Sequence, residues 1–320
     1  MQSARTILQK RLMKIAEYFK EVGKLKDKFY DRLVITIAYV LTGVFAVICL
    51  IPLLMALCAS LTNETTLIKE GYSLWIKNFD LSSYKLIFTG TDAIYRAYAV
   101  TIGMTAIGTG LTVFFTALTA YPLSVSGLKY RGKISFYIYL TMLLNGGLVP
   151  NYILISRVLS LKDSFWVLVI PGMLNAYNIF LMTNYFKTLP GSLAESAKID
   201  GATDFKIFIR IILPLSKPII ATIALFSAMG YWNEWYKVLL YIEKPELYTL
   251  QYLVMKMQRQ LDFLNSELGA KAMEAMGNVS IPSLGIRMAT AILSIGPIVL
   301  VYPFLQKYFM KGIMIGSVKE

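Results

Sequence analysis

Histidine is absent from the 320 residues, and cysteine occurs only at Cys49 and Cys58. Without histidine the chain has no imidazole base and no histidine-ligated metal centre. Two cysteines in one apolar run support neither a disulfide framework nor a zinc cluster. Both read as small, buried apolar residues. Acids are also scarce, 19 against 32 lysines and arginines. No nucleophile–base pair and no acidic cluster is visible, which argues against an enzyme working inside a membrane. No metal site is expected.

What the chain has is apolar surface. Hydrophobic residues make up 56% of the sequence, and the mean hydropathy is +0.57. Soluble domains average nearer about 45–50% apolar residues. Six apolar runs reach the roughly 20 residues that a helix needs to cross a bilayer. The expected fold is an all-α integral membrane protein with six transmembrane helices. About 33 residues precede the first run, which is longer than a signal-peptide core. Bulky Leu57 before Cys58 argues against a lipoprotein cleavage box.

Residues 1–32 are basic, and Leu8, Leu12, Ile15, Phe19, Val22 and Phe29 recur at helical spacing. This predicts an amphipathic helix on the inner membrane surface, with a solvated helix or tail as the alternative. The transmembrane domain is expected over 33–310. Span 1 covers 33–60 and is kinked at Pro52. Outer loop 61–96 follows, with Trp75 and Tyr84 at the interface. Span 2 covers 97–125; its Gly103, Ala106, Gly108 and Gly110 predict a closely packed inner helix. Span 3 starts near Ile134 and is interrupted at Asn145-Gly146-Gly147 and again at Pro150. Such breaks are tolerated only where protein or a water-filled cavity receives the freed backbone. Span 4 covers 164–186, span 5 covers 219–242, and span 6 covers 287–310. The second outer loop is 243–285, and a cytoplasmic tail covers 311–320.

Charge orients the chain. One set of alternate loops, with both termini and Lys307 near the end of span 6, holds 20 lysines and arginines; the opposite set holds 11. By the positive-inside rule both termini and loop 187–217 are cytoplasmic. The surplus of positive charge is thus a topology signal, and no nucleic-acid partner is expected. Gly127 to Lys133 has the spacing of a phosphate-binding loop. Ile134 stands where Ser or Thr is required, and a membrane helix precedes it. A credible ATP site is missing. The sequons at Asn63 and Asn278 are too common to carry weight. Arg157 and Arg287, at outer span ends, are expected to snorkel.

Two groups of polar residues inside the spans are candidates for a substrate path. Trp232, Asn233, Glu234, Trp235 and Lys237 crowd span 5. On a straight helix Glu234 lies about 24 Å above Pro218. Aromatic planes beside amides and acids suit sugar rings, and polar groups at depth face the bundle interior. An aromatic belt with a Glu234–Lys237 pair is the competing reading. The second group is Asn145, Tyr152, Asn175, Tyr177 and Asn178, with helix–helix hydrogen bonding as its competitor.

The stretch Glu195 to Pro218 is a charged insert between apolar runs, read as two short helices joined near Asp200-Gly201. Glu195-Ser196-Ala197, then Gly201 after three intervening residues, then Ile211-x-Leu213-Pro214 after nine more, resembles the EAA motif. That motif marks the membrane subunits of ATP-binding-cassette importers. Ile199-Asp200-Gly201-Ala202 strengthens the match, and Ser196 stands where Ala is usual. Gly146 to Pro150, Trp232-Asn233-Glu234 and the ending Tyr308 to Lys319 are similar to carbohydrate permeases of the maltose-G type. The likeness is closest to the complex-oligosaccharide (LplC/YtcP-like) branch and covers about residues 30–320.

The resemblance implies a type I importer fold in which the insert is a coupling helix docked on a dimeric cytoplasmic ATPase. Glu195 would be its ionic contact and Gly201 its tight turn, with Ser196, Ala197, Asp200, Ala202, Arg210, Leu213 and Pro214 completing the coupling set. ATP and magnesium would bind that partner and not this chain, which would be non-catalytic. A second homologous permease would complete the path, and a substrate-binding lipoprotein would deliver an oligosaccharide from outside the cell membrane. The alternative from the residues alone is an ion- or proton-coupled sugar transporter or channel.

Overall fold

The computed structural model describes residues 2–90, 92–264, 266 and 284–299. The 311–320 tail, the ending Tyr308 to Lys319, Pro303 and the Asn278 sequon lie outside the described residues. So do residues 267–283 of the second outer loop. The side chains of the N-terminal amphipathic stretch are likewise not described.

Helix α1 (Gln2–Ser60) runs through Pro52 without a break. From Tyr30 to Ser60 it is the most apolar stretch, with a mean hydropathy of 2.7, and almost all of it is exposed. Cys49, expected to be buried, is exposed on this helix. Helices α2 (Glu64–Glu70) and α3 (Ser82–Gly90) form the first outer loop, and α4 (Ala93–Ser124) follows. α5 (Arg131–Leu143) and α6 (Leu148–Ile153) are bent by 111° across Asn145-Gly146-Gly147, where the sequence placed a break. Pro150 makes no second interruption. It sits in the first turn of α6, where a proline removes no helical hydrogen bond.

α7 (Phe165–Val169) and α8 (Ala176–Thr188) form a pair bent by 48°. The insert contributes α9 (Gly191–Ile199), α10 (Asp204–Ile207) and α11 (Leu213–Leu215). A 79° bend then leads into α12 (Lys217–Trp232), followed by α13 (Tyr236–Tyr241), α14 (Leu250–Leu264) and α15 (Leu284–Val299). Span 5 is therefore not the straight helix assumed above. It stops at Trp232, and Glu234 lies in the break before α13. Among the described residues two helices are long and apolar enough to cross a membrane, or five when each bent pair is one span.

α4 is the centre of the bundle and packs chiefly against α12 and α8. It is apolar around its circumference, as a membrane-spanning helix should be. α4 and α12 meet tightly at Gly108, where a Cβ would stand 2.6 Å from the Tyr231 ring. Of the four small residues picked from the sequence, only Gly108 is buried. The Tyr231 hydroxyl donates to the Val169 carbonyl at 3.0 Å and meets Thr112 Oγ1 at 3.3 Å. One side chain thus joins α4, α7 and α12.

Polar ties close the ends. Glu64 accepts from the backbone N–H groups of Leu284 and Gly285 at 2.9 and 2.8 Å, at the start of α15. Tyr84, expected at the interface, is half-buried and bonded to Ser60 Oγ at 2.8 Å. Arg287 does not snorkel freely; it pairs with Asp262 at 3.8 Å. Asp163 Oδ1 accepts from the backbone of Glu243 at 2.6 Å and of Lys244 at 3.1 Å. The first of these holds the Asp163 carboxyl below its ordinary pKa.

Gly108→Ala should lower the stability of the purified complex by about 1–3 kcal/mol through overpacking against Tyr231. Thermal unfolding in detergent measures it, and Tyr231→Leu in the same chain should recover part of the loss. Asp163 adds a pH term. Its folded pKa is depressed, so its contribution is complete above the unfolded value and is lost as pH falls through the folded one. The unfolding temperature should drop on acidification, and Asp163→Asn should flatten that drop.

Candidate functional site

The chain breaks its helices where polar groups collect. Past Trp232 the α12 ladder ends, and the backbone N–H of Lys237 at the start of α13 needs an acceptor. Glu234 Oε1 provides it at 2.9 Å, while Oε2 takes the Lys237 ammonium. The two side chains are 13% and 22% exposed, so this ion pair is largely withdrawn from solvent. Across from it, Asn175 caps α8: its Oδ1 accepts from Tyr177 N at 2.9 Å and Asn178 N at 3.3 Å.

Between these two breaks lies a cavity of about 510 Å³. Its walls are Gly172, Asn175, Tyr177, Asn178, Phe226, Ser227, Gly230, Tyr231, Glu234 and Lys237. Five of the ten path candidates meet here: Asn175, Tyr177 and Asn178 from span 4, Glu234 and Lys237 from span 5. The Tyr177 ring is exposed and Asn178 is buried. Ser227 Oγ is buried without a hydrogen-bond partner. The lining offers an aromatic face, an amide, a hydroxyl and a neutralised ion pair, a set suited to a hydroxylated ligand.

The other five stand elsewhere. Asn145 Oδ1 accepts from Gly147 N at 2.9 Å and shapes the turn at the α5–α6 bend. Tyr152 stacks on Tyr241 with ring centroids 5.5 Å apart. Trp232 is buried and donates to the Ser294 carbonyl at 3.0 Å, tying α12 to α15. Asn233 donates to Met229 O and accepts from Gln251. Trp235 packs edge-on against Tyr236. The sequence reading missed Ser227 and Gly230. They share a helical face with Glu234, which lies seven residues on from Ser227 and four from Gly230, and that spacing was the available signal.

The insert is a second feature. α9 and α10 meet at Gly201, whose φ of +76° is a backbone conformation that favours glycine. Thr203 caps α10 through Lys206 N at 3.4 Å, and Lys198 pairs with Asp204 across the turn at 2.9 Å. That pairing raises the Lys198 pKa, by hydrogen bond first and charge second. Ala194, Ala197 and Ala202 turn inward onto a core built by Met182, Phe186, Ile207, Phe208, Ile219 and Ile223. Glu195, Ser196, Asp200, Gly201, Arg210 and Pro214 are exposed, while Ala197, Ala202 and Leu213 are partly covered. Ile199 and Phe205 are also exposed, by 86% and 64%. The segment resembling a phosphate loop is only the turn from α4 into α5, with Lys129 and Lys133 over the Tyr130 ring.

Residues 22–315 match the family described as binding-protein-dependent transport system inner membrane component. The chain is 37% identical over 295 residues to the polygalacturonan/rhamnogalacturonan transport system permease protein YtcP of Bacillus subtilis. That match covers 92% of this chain and all of the relative. It is 40% identical over 277 residues to the protein LplC of the same organism, covering 87% of this chain and 92% of the other. A solved chain of a bacterial ABC transporter importing the acidic polysaccharide alginate superposes with a TM-score of 0.75 at 31% identity. The superposition covers 87% of this chain and 97% of that one. The chain belongs to the family of binding-protein-dependent transport system inner membrane components.

Proposed function

We propose that this chain is one of two membrane subunits of an ATP-driven, binding-protein-dependent importer of oligosaccharides. It crosses the cell membrane six times with both termini in the cytoplasm, forms half of the path, and takes up force through the insert. The observation that carries this reading is the outer face of α9 and α10. Ile199 and Phe205 stand bare there, Ile199 one turn from Glu195, on a segment whose other side is packed on the bundle. Exposed apolar side chains rimmed by charge mark a docking surface. The partner is the dimeric ATPase, which binds ATP and magnesium; this chain performs no chemistry. Glu195 supplies a charge contact, while Ala197 and Ala202 set how closely the insert sits on the bundle. Asp200, Gly201 and Arg210 shape its exposed turn and flank. Leu213 and Pro214 lead into the 79° bend at Ser216.

The cavity between α7, α8 and α12 is the substrate path of this subunit. A second permease subunit faces it, and an extracytoplasmic lipoprotein supplies the sugar. The similarity to YtcP and to the alginate importer supports a sugar-chain substrate. A proton-coupled route has less support, because Glu234, the one acid lining the cavity, is already held by Lys237.

Glu195→Lys and Gly201→Asp should each abolish substrate-stimulated ATP hydrolysis in the reconstituted complex and leave the subunit in the membrane. Normal stimulation in both variants overturns the coupling role. Within the cavity, Glu234→Gln and Lys237→Met should each slow transport more than the double variant does. A double-mutant cycle on transport rate should give a coupling of about 0.5–3 kcal/mol, and strict additivity contradicts a shared role.

A further inference from the structure

The loop between α2 and α3 takes no part in the cavity or the insert, yet it presents the most exposed indole in the described residues. Tyr72, Leu74, Trp75, Ile76 and Phe79 are all exposed, Trp75 by 80%. Leaving that much apolar area in water is unfavourable, and a clustered patch of this kind marks a contact. The loop is also firmly built. Thr62 pairs with Phe79, Asn63 N donates to Asn78 O at 3.1 Å, and Asp80 N donates to Leu61 O at 2.9 Å. Asn63 Nδ2 adds a bond to Asp80 Oδ2 at 2.8 Å. α2, which feeds the loop, is tied to α15 through Glu64. The apolar tip therefore has a fixed seat on the end of the bundle.

One contact sets its depth. Cys58 Sγ donates to the Leu74 carbonyl at 3.2 Å. Cys58 lies in the last turn of α1, about 3 Å short of the helix end at 1.5 Å per residue. The tip folds back beside the most apolar helix of the chain and does not project away from it. Leu54 and Leu57, within one turn of Cys58 on α1, are exposed as well. The adjacent charges, Lys77 and Glu70, neutralise each other at 2.7 Å.

We propose that residues 72–79 are an interfacial anchor that binds a lipid surface. Trp75 and Ile76 insert into the headgroup–acyl boundary of the leaflet at the C-terminal end of α1. An indole, apolar with one polar edge, suits that boundary. The neutral ion pair beside it makes the attraction apolar, with no requirement for anionic headgroups. The anchor fixes the height of α1 through the Cys58–Leu74 contact and the stapled base of the loop.

The test places a nitroxide at position 75 by Trp75→Cys and, separately, at position 76 by Ile76→Cys. The background is Cys49→Ala with Cys58→Ser, which keeps a donor to the Leu74 carbonyl. The assembled complex sits in phosphatidylcholine liposomes. Collision with oxygen should exceed collision with a water-soluble nickel chelate severalfold at both sites, as at a Phe45→Cys control on exposed α1. Low collision with both reagents means a protein covers the loop and overturns the proposal. Dominant collision with nickel means the loop stands in water and overturns it too. Adding anionic lipid should leave the ratio unchanged; an oxygen preference that appears only with anionic lipid overturns the apolar mode.

Discussion

The contact on which the bundle depends is the Tyr231 ring lying over Gly108, with its hydroxyl on the Val169 carbonyl. A membrane helix gains little by hiding leucines from lipid, because lipid is equally apolar. Close approach and satisfied polar groups must supply the difference. Gly108 provides the approach, since any side chain there would meet the aromatic ring. The Val169 carbonyl lies at the end of α7, where the helix gives way to the turn before Pro171, and Tyr231 donates to it. Tyr231 also stands beside Gly172, where an added Cβ would come within 3.3 Å of the phenol oxygen, and so forms one wall of the cavity. The residue that closes the bundle thereby shapes its opening.

The cavity follows from breaking helices at that level. α7 and α8 part at Met173–Asn175, and α12 and α13 part at Asn233–Trp235. Each break frees backbone groups that cannot stay unpaired at membrane depth. Asn175 caps one and Glu234 caps the other, so residues that make good caps are also the polar lining. Lys237 then balances Glu234, which keeps a carboxylate tolerable in an apolar bundle.

This double use explains what the sequence made legible. Composition and run length point to the membrane helices, because each residue contributes to hydropathy independently. The spacing of the insert is readable because Gly201 and Pro214 are backbone requirements, visible at single positions. The cavity was half legible. Glu234, Lys237, Asn175, Tyr177 and Asn178 stand out as polar residues within apolar runs. Asn145 and Trp232 stand out equally, yet one shapes a turn and the other ties α12 to α15. Only three-dimensional pairing separates the two kinds. Straight-helix reasoning failed at span 5 because nothing in Trp232-Asn233-Glu234-Trp235 forbids a helix. The break is imposed by packing, with Thr249 donating to the Glu234 carbonyl and Trp232 reaching the Ser294 carbonyl.

Under the proposed function, α12 is where the two features become one machine. Its first turns, Ile219 and Ile223, share a core with the insert, while Ser227, Gly230 and Tyr231 face the cavity. Sixteen residues at 1.5 Å each make a rod of about 24 Å. A rod of that length with a sharp bend at one end and a break at the other can tilt without bending. Ser216 sits at the bend, buried, with no partner for its hydroxyl. Displacing the insert would therefore move α12 as a unit and carry Tyr231 with it. Because Tyr231 is wedged between Gly108 and Gly172, a small tilt must either shift α4 and α7 together or release the ring. On that reading, cavity shape and insert position would be coupled through that one side chain.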